Sequence, residues 1–123
     1  MGKLRALALA LIAWPLVAHA DPKPTPAQMQ QAGDLVKKAI AKSQAGDHDL
    51  AIELYKQAYD VVPTPILLSN IGSEYEQAKN RILALKYFCK YLDADPTGSN
   101  ASYATAKAKA LQIDLGKIGR AHV

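Results

Sequence analysis

Residues 65–96 read PILLSNIGSEYEQAKNRILALKYFCKYLDADP, and this stretch decides the fold. Leu68, Ile71, Gly72 and Tyr75 follow one another at intervals of three, one and three, so they share one face of a helix. Ala84, Leu85, Phe88, Tyr91 and Leu92 do the same in a second segment. The two meet at Lys79-Asn80-Arg81, where Asn80 is suited to a left-handed turn. Pro96 stops the second segment, because proline has no N–H to give and clashes with the preceding turn. The stretch is a helical hairpin.

The same pattern recurs upstream at one constant offset. Ala84, Phe88, Tyr91 and Pro96 map onto Ala51, Tyr55, Ala58 and Pro63, and Leu68, Gly72, Lys79 and Asn80 map onto Leu35, Ala39, Gly46 and Asp47. An offset of this length is the period of helical-repeat proteins. The hairpin resembles a tetratricopeptide repeat, whose order of large apolar, small, aromatic, Ala, aromatic and Pro is met by Leu68, Gly72, Tyr75, Ala84, Phe88 and Pro96. The resemblance covers residues 46–96 closely and 32–45 loosely. Tyr91 departs from it, where the family has a small Ala, and so do Lys38 and Lys42, where it has a large apolar residue and an aromatic. A small exported member of bacterial type is what the likeness implies.

Working outward, Thr25-Pro26-Ala27-Gln28 is a helix start, with Thr25 as cap, Pro26 at the first helical position and Gln28 completing a capping box. The first helix is expected to reach about Ala45, with Met29, Ala32, Leu35, Val36, Ala39, Ile40 and Ser43 as its stripe. The second begins near Asp47 and ends before Pro63, the third runs from Thr64-Pro65 to about Ala78, and the fourth from about Arg81 to Ala94. After Pro96-Thr97-Gly98, a fifth helix capped by Ser99 or Asn100 carries a seam at Ala101, Ala104, Ala108, Leu111, Leu115 and Ile118. The seam begins with alanines, which bury little area, and Lys107, Lys109 and Lys117 fall off it as a solvated face. The expected fold is all-α: two antiparallel helix-turn-helix repeats at 26–63 and 64–97, a closing helix at 99–118 and a tail at 119–123.

Residues 1–20 differ in kind. Lys3 and Arg5 precede an uncharged, mostly apolar run from Ala6 to Val17, and Ala18-His19-Ala20 offers small residues at the two positions signal peptidase reads. This is the pattern of a secretory signal peptide, and the run is too short for a membrane span of about 20 residues. Residues 21–25 are a Pro-rich linker. Cleavage after Ala20 would leave no membrane anchor and would lower the net charge from +4 to +2, since Lys3 and Arg5 leave. That charge is too small to suggest nucleic-acid binding. Cys89 is the only cysteine, so it has no partner within the chain and reads as a small, partly buried apolar residue or as a link between two copies.

No constellation of catalytic type is visible, and no enzyme activity, metal or cofactor is expected. Asp47-His48-Asp49 falls at a helix start, where consecutive side chains diverge and converge poorly on a metal. Ser69 and Ser73 have no histidine in any known motif, and Glu74 and Glu76 read as solvated surface. The family resemblance implies instead a concave groove lined by the first helix of each pair. Its positions here are Gly33, Val36, Ile40, Ser43 and Gln44, then Ile66, Ser69, Asn70, Ser73, Glu76 and Gln77. Val36 and Ile40 stand where some members hold a peptide's terminal carboxylate with basic residues. The expected function is an exported, periplasmic or secreted interaction module that binds a protein or peptide partner in the cell envelope. The alternative is a structural module that self-associates as a homo-oligomer.

Overall fold

Local chemistry sets each helix boundary. Thr25 accepts from the Gln28 N–H at 3.1 Å and Gln28 returns a carboxamide oxygen to the Thr25 N–H at 2.8 Å, so the capping box opens α1 (Pro26–Gln44). Asp47 accepts from the Leu50 N–H and opens α2 (His48–Val61). Thr64 precedes Pro65 at the start of α3 (Pro65–Gln77) without a side-chain cap. Asn80 accepts from the Leu83 N–H and opens α4 (Arg81–Ala94). The last helix, α5, spans Ala101–Ala121. This computed structural model describes residues 21–121, so the expected signal peptide and His122 lie outside the described residues. The architecture is all-α, as expected from the sequence.

α1 pairs with α2 and α3 with α4, and α5 packs on α4, so that contacts run mainly between neighbours in the chain. Two buried clusters result. Ala39, Ile52, Tyr55, Ala58, Leu67 and Ile71 fill the junction of the first hairpin with α3. Leu68, Ala84, Phe88, Tyr91, Ala104, Ala108 and Leu111 fill the second hairpin and its contact with α5. Tyr59, Tyr75 and Tyr87 pack against both. Gly72 explains how α3 and α4 come so close, since a Cβ there would stand 3.2 Å from the Phe88 ring.

Several expectations are corrected. Met29 and Ile40 lie on the apolar stripe of α1 but stay exposed, and among the described residues α1 buries only Ala32 and Ala39. Ile118, at the end of the α5 seam, is exposed as well. The left-handed residue between α3 and α4 is Lys79 (φ 65°), whereas Asn80 has φ −92° and serves as the cap of α4. The reason is a Schellman motif: Asn80 N–H bonds to the Tyr75 carbonyl and Lys79 N–H to that of Glu76. The first hairpin ends α1 with the same motif. Asp47 N–H bonds to Lys42 and Gly46 N–H to Ser43, with Gly46 at φ 80°.

Tyr91, the departure from the family pattern, has a structural reason. It is buried, and its hydroxyl accepts the Asn100 backbone N–H at 3.1 Å. Gly98 lies hard against Tyr91 and Asp95, where no Cβ fits. The Asn100 carbonyl accepts the first bond of α5 from Ala104, while its carboxamide turns away to donate to the Ser69 hydroxyl. Tyr91 and Asn100 thus fasten the α4–α5 junction to the second hairpin.

Candidate functional site

The inner face of the stack is formed by α1, α3 and α5. Val36 and Ile66, expected in a groove, meet there with Asn70 and with Met29, Ala32, Gly33, Val62, Thr64 and Leu67 around an apolar cleft of about 310 Å³. Met29 is 61% exposed and Ile66 38%, large apolar side chains left in water beside the opening. At Gly33 nothing lies within 4 Å of where a Cβ would be, so the floor is open there. Ile40 and Ser43 continue the Val36 stripe by one and two turns of α1 but border no cleft with it.

Ser73, Glu76 and Gln77 border a second, polar cleft of about 330 Å³, together with Lys79, Tyr103 and Lys107. Tyr103 packs edge-on against Phe88 at 5.9 Å, and its hydroxyl is hydrogen-bonded to that of Ser73 at 3.1 Å. Lys107 donates to Glu76 at 2.9 Å and lies 5.8 Å from the centre of the Tyr103 ring. The Glu76 carboxylate holds the Lys107 ammonium above the ordinary lysine range, outweighing the opposing effect of partial burial. Lys107 is therefore part of the inner face, not of a free solvated one. Sequence reasoning missed Tyr103 and Lys107. The signal was present, because they follow Ser69 and Ser73 at one family period.

Ser69 is placed differently from the groove-lining position the resemblance implied. It is 1% exposed, under the Asn100 carboxamide, and offers no surface to a ligand. Glu74 is likewise not solvated surface: it is 4% exposed and its carboxylate takes the His48 imidazole Nδ1 at 2.8 Å. The buried phenol of Tyr55 shares this environment, and burial first, then the Glu74 charge, pushes its pKa up. His48 links the first residue of α2 to the last turn of α3, which is a structural role. His48→Ala leaves a buried carboxylate without its partner, so a loss of about 1.5–3 kcal/mol is expected in urea unfolding. A change below about 0.5 kcal/mol would show that water replaces the imidazole at no cost.

Among the described residues, no group of three or more His, Cys, Asp or Glu could hold a metal ion. No described helix is long and apolar enough to cross a membrane. Cys89 is free and partly exposed.

Stacked antiparallel hairpins with a lined inner face define a helical-repeat scaffold. Residues 67–97 match the family model described as tetratricopeptide repeat, and the match falls on the second hairpin. Such repeats are non-catalytic scaffolds that mediate protein–protein interaction. No curated protein matches the chain.

Proposed function

We propose that the protein is an exported interaction module that holds a segment of another protein along its inner face, in the periplasm or outside the cell. The observation that carries this reading is the apolar cleft between α1 and α3. It has room for an apolar side chain, and its rim leaves Met29 and Ile66 uncovered. Exposed apolar patches beside a preformed cleft are what protein interfaces cover. The short apolar run before Ala18-His19-Ala20 supports export. The groove runs along Val36, Ile66, Asn70, Ser73, Glu76 and Gln77, extended by Tyr103 and Lys107, with Ile40 and Ser43 on the continuing stripe of α1.

Capture from an envelope extract tests the reading. The wild type should retain a partner that Ile66→Lys and Val36→Lys lose by tenfold or more, while circular dichroism shows both variants folded. Protein recovered from the envelope should have an intact mass that begins at Asp21. Folded variants that capture as well as the wild type would remove the cleft as the docking face. A wild type that captures nothing but dimerises in light scattering, with Ile66→Lys monomeric, would replace the partner by a second copy.

A further inference from the structure

The two Schellman turns have the same backbone and different residues. Gly46 and Lys79 stand one repeat apart at the same place in the motif, with φ of 80° and 65°. Glycine enters this region freely, whereas a residue with a Cβ is strained there. Non-glycine residues held in such conformations point to a function when they also stand in a site. Lys79 does, because it lines the polar cleft between α3 and α5. It also borders a neighbouring cleft with Arg81, which adds a second positive charge nearby. Glu76, the acid of the polar cleft, is already engaged by Lys107. Among the described residues, no carboxylate lies within ion-pair distance of the Lys79 ammonium.

We propose that Lys79 is kept in this strained position as the anion contact of the inner face, and that the segment bound there is acidic. Its apolar side chain enters the α1–α3 cleft and a carboxylate side chain further along meets Lys79. This rests on the reading that a partner segment lies along the inner face. The geometry fits a short extended strand. Ile66 and Lys79 are 13 positions apart along α3 and its cap, about 20 Å at 1.5 Å per residue, which an extended peptide covers in about six residues. The charge belongs to an internal side chain of the segment, because the polar cleft is open and does not close around a chain end.

The test is a nuclear magnetic resonance titration of the 15N-labelled protein with two acetylated, amidated hexapeptides, Leu-Ser-Ala-Ser-Glu-Glu and Leu-Ser-Ala-Ser-Gln-Gln. The acidic peptide should shift the amides of Ser73, Gln77, Lys79 and Tyr103. It should bind at least fivefold tighter than its amide counterpart at low salt, and the difference should shrink in about 0.5 M salt as charges are screened. Lys79→Gln should remove the preference with little change in melting temperature. Lys79→Gly should remove it and raise the melting temperature by about 2–6 °C, because the strain is relieved. If both peptides bind equally on the inner face, or if Lys79→Gly keeps the preference, the acidic specificity is overturned and the groove reading stands. If neither peptide shifts any inner-face amide, the acidic specificity is likewise overturned, and the capture experiment with Ile66→Lys judges the groove separately.

Discussion

Ala84→Asp is expected to leave no folded protein at room temperature. Ala84 is 0% exposed, at the point where α4 crosses α3, and its neighbours in the cluster are Leu68, Phe88 and Tyr91. A carboxylate introduced there has no basic partner and no water. Burying an unpaired charge costs several kcal/mol, against a total stability of about 5–15 kcal/mol for a domain. Circular dichroism reads the outcome, with Lys86→Asp on the exposed side of α4 as a control that should stay helical. A helical Ala84→Asp variant with a cooperative melt would show that α3 and α4 do not close on this residue.

Phe88→Ala should be nearly as damaging, through lost volume instead of charge. The ring is fully buried, lies over Gly72 in the space a Cβ would need, and supports Tyr103 of α5 edge-on. Removing it takes away the transfer energy of the ring and leaves a cavity that the surrounding helices cannot collapse to fill. Such truncations cost about 3–5 kcal/mol. At about 4–8 °C per kcal/mol for a domain of this size, the melting temperature should fall by more than about 12 °C. Urea unfolding checks the free energy directly, and a loss under about 1 kcal/mol would mean that α5 settles into the space. In a variant that remains folded, the Ser73–Tyr103 hydrogen bond should loosen, since Tyr103 has lost its backing.

Most of the helix boundaries were legible because they are written in single residues. Thr25-Pro26, Asp47, Asn80 and Pro96 each act within one turn, and the structure uses them where the sequence has them. The repeat was legible from the spacing of Ala51 and Ala84. The Glu74–His48 pair was not, because the two residues are far apart in the chain and meet only once α2 stacks on α3. A glutamate beside Ser73 and Tyr75 looks solvated until the helix is rotated to bury Ile71, which turns Glu74 inward with it. The same stacking hides Ser69 beneath Asn100, which is contributed from beyond α4. The role of α5 was half visible. Its seam of alanines marks a packed helix, but it gives no hint that the opposite edge carries Tyr103 and Lys107 to the inner face. Their offset from Ser69 and Ser73 does, since it equals one repeat.

The three tyrosines that touch both clusters have a consequence for how the molecule comes apart. Contacts run mainly from each helix to the next, so its free energy resembles a one-dimensional chain of nearest-neighbour terms. Tyr59, Tyr75 and Tyr87 then add to the coupling that the two blocks already have through α3, which contributes Leu67 and Ile71 to one and Leu68 to the other. α1 sits at the end of that chain, moored by buried Ala32 and Ala39 and by partly buried Leu35 and Val36. An end helix has one main neighbour where an inner helix has two, so the apolar cleft has a terminal wall in α1 and an inner wall in α3. A ligand seated there touches Leu67, so it bears on the first cluster directly and on the Phe88 cluster through α3 and the three tyrosines.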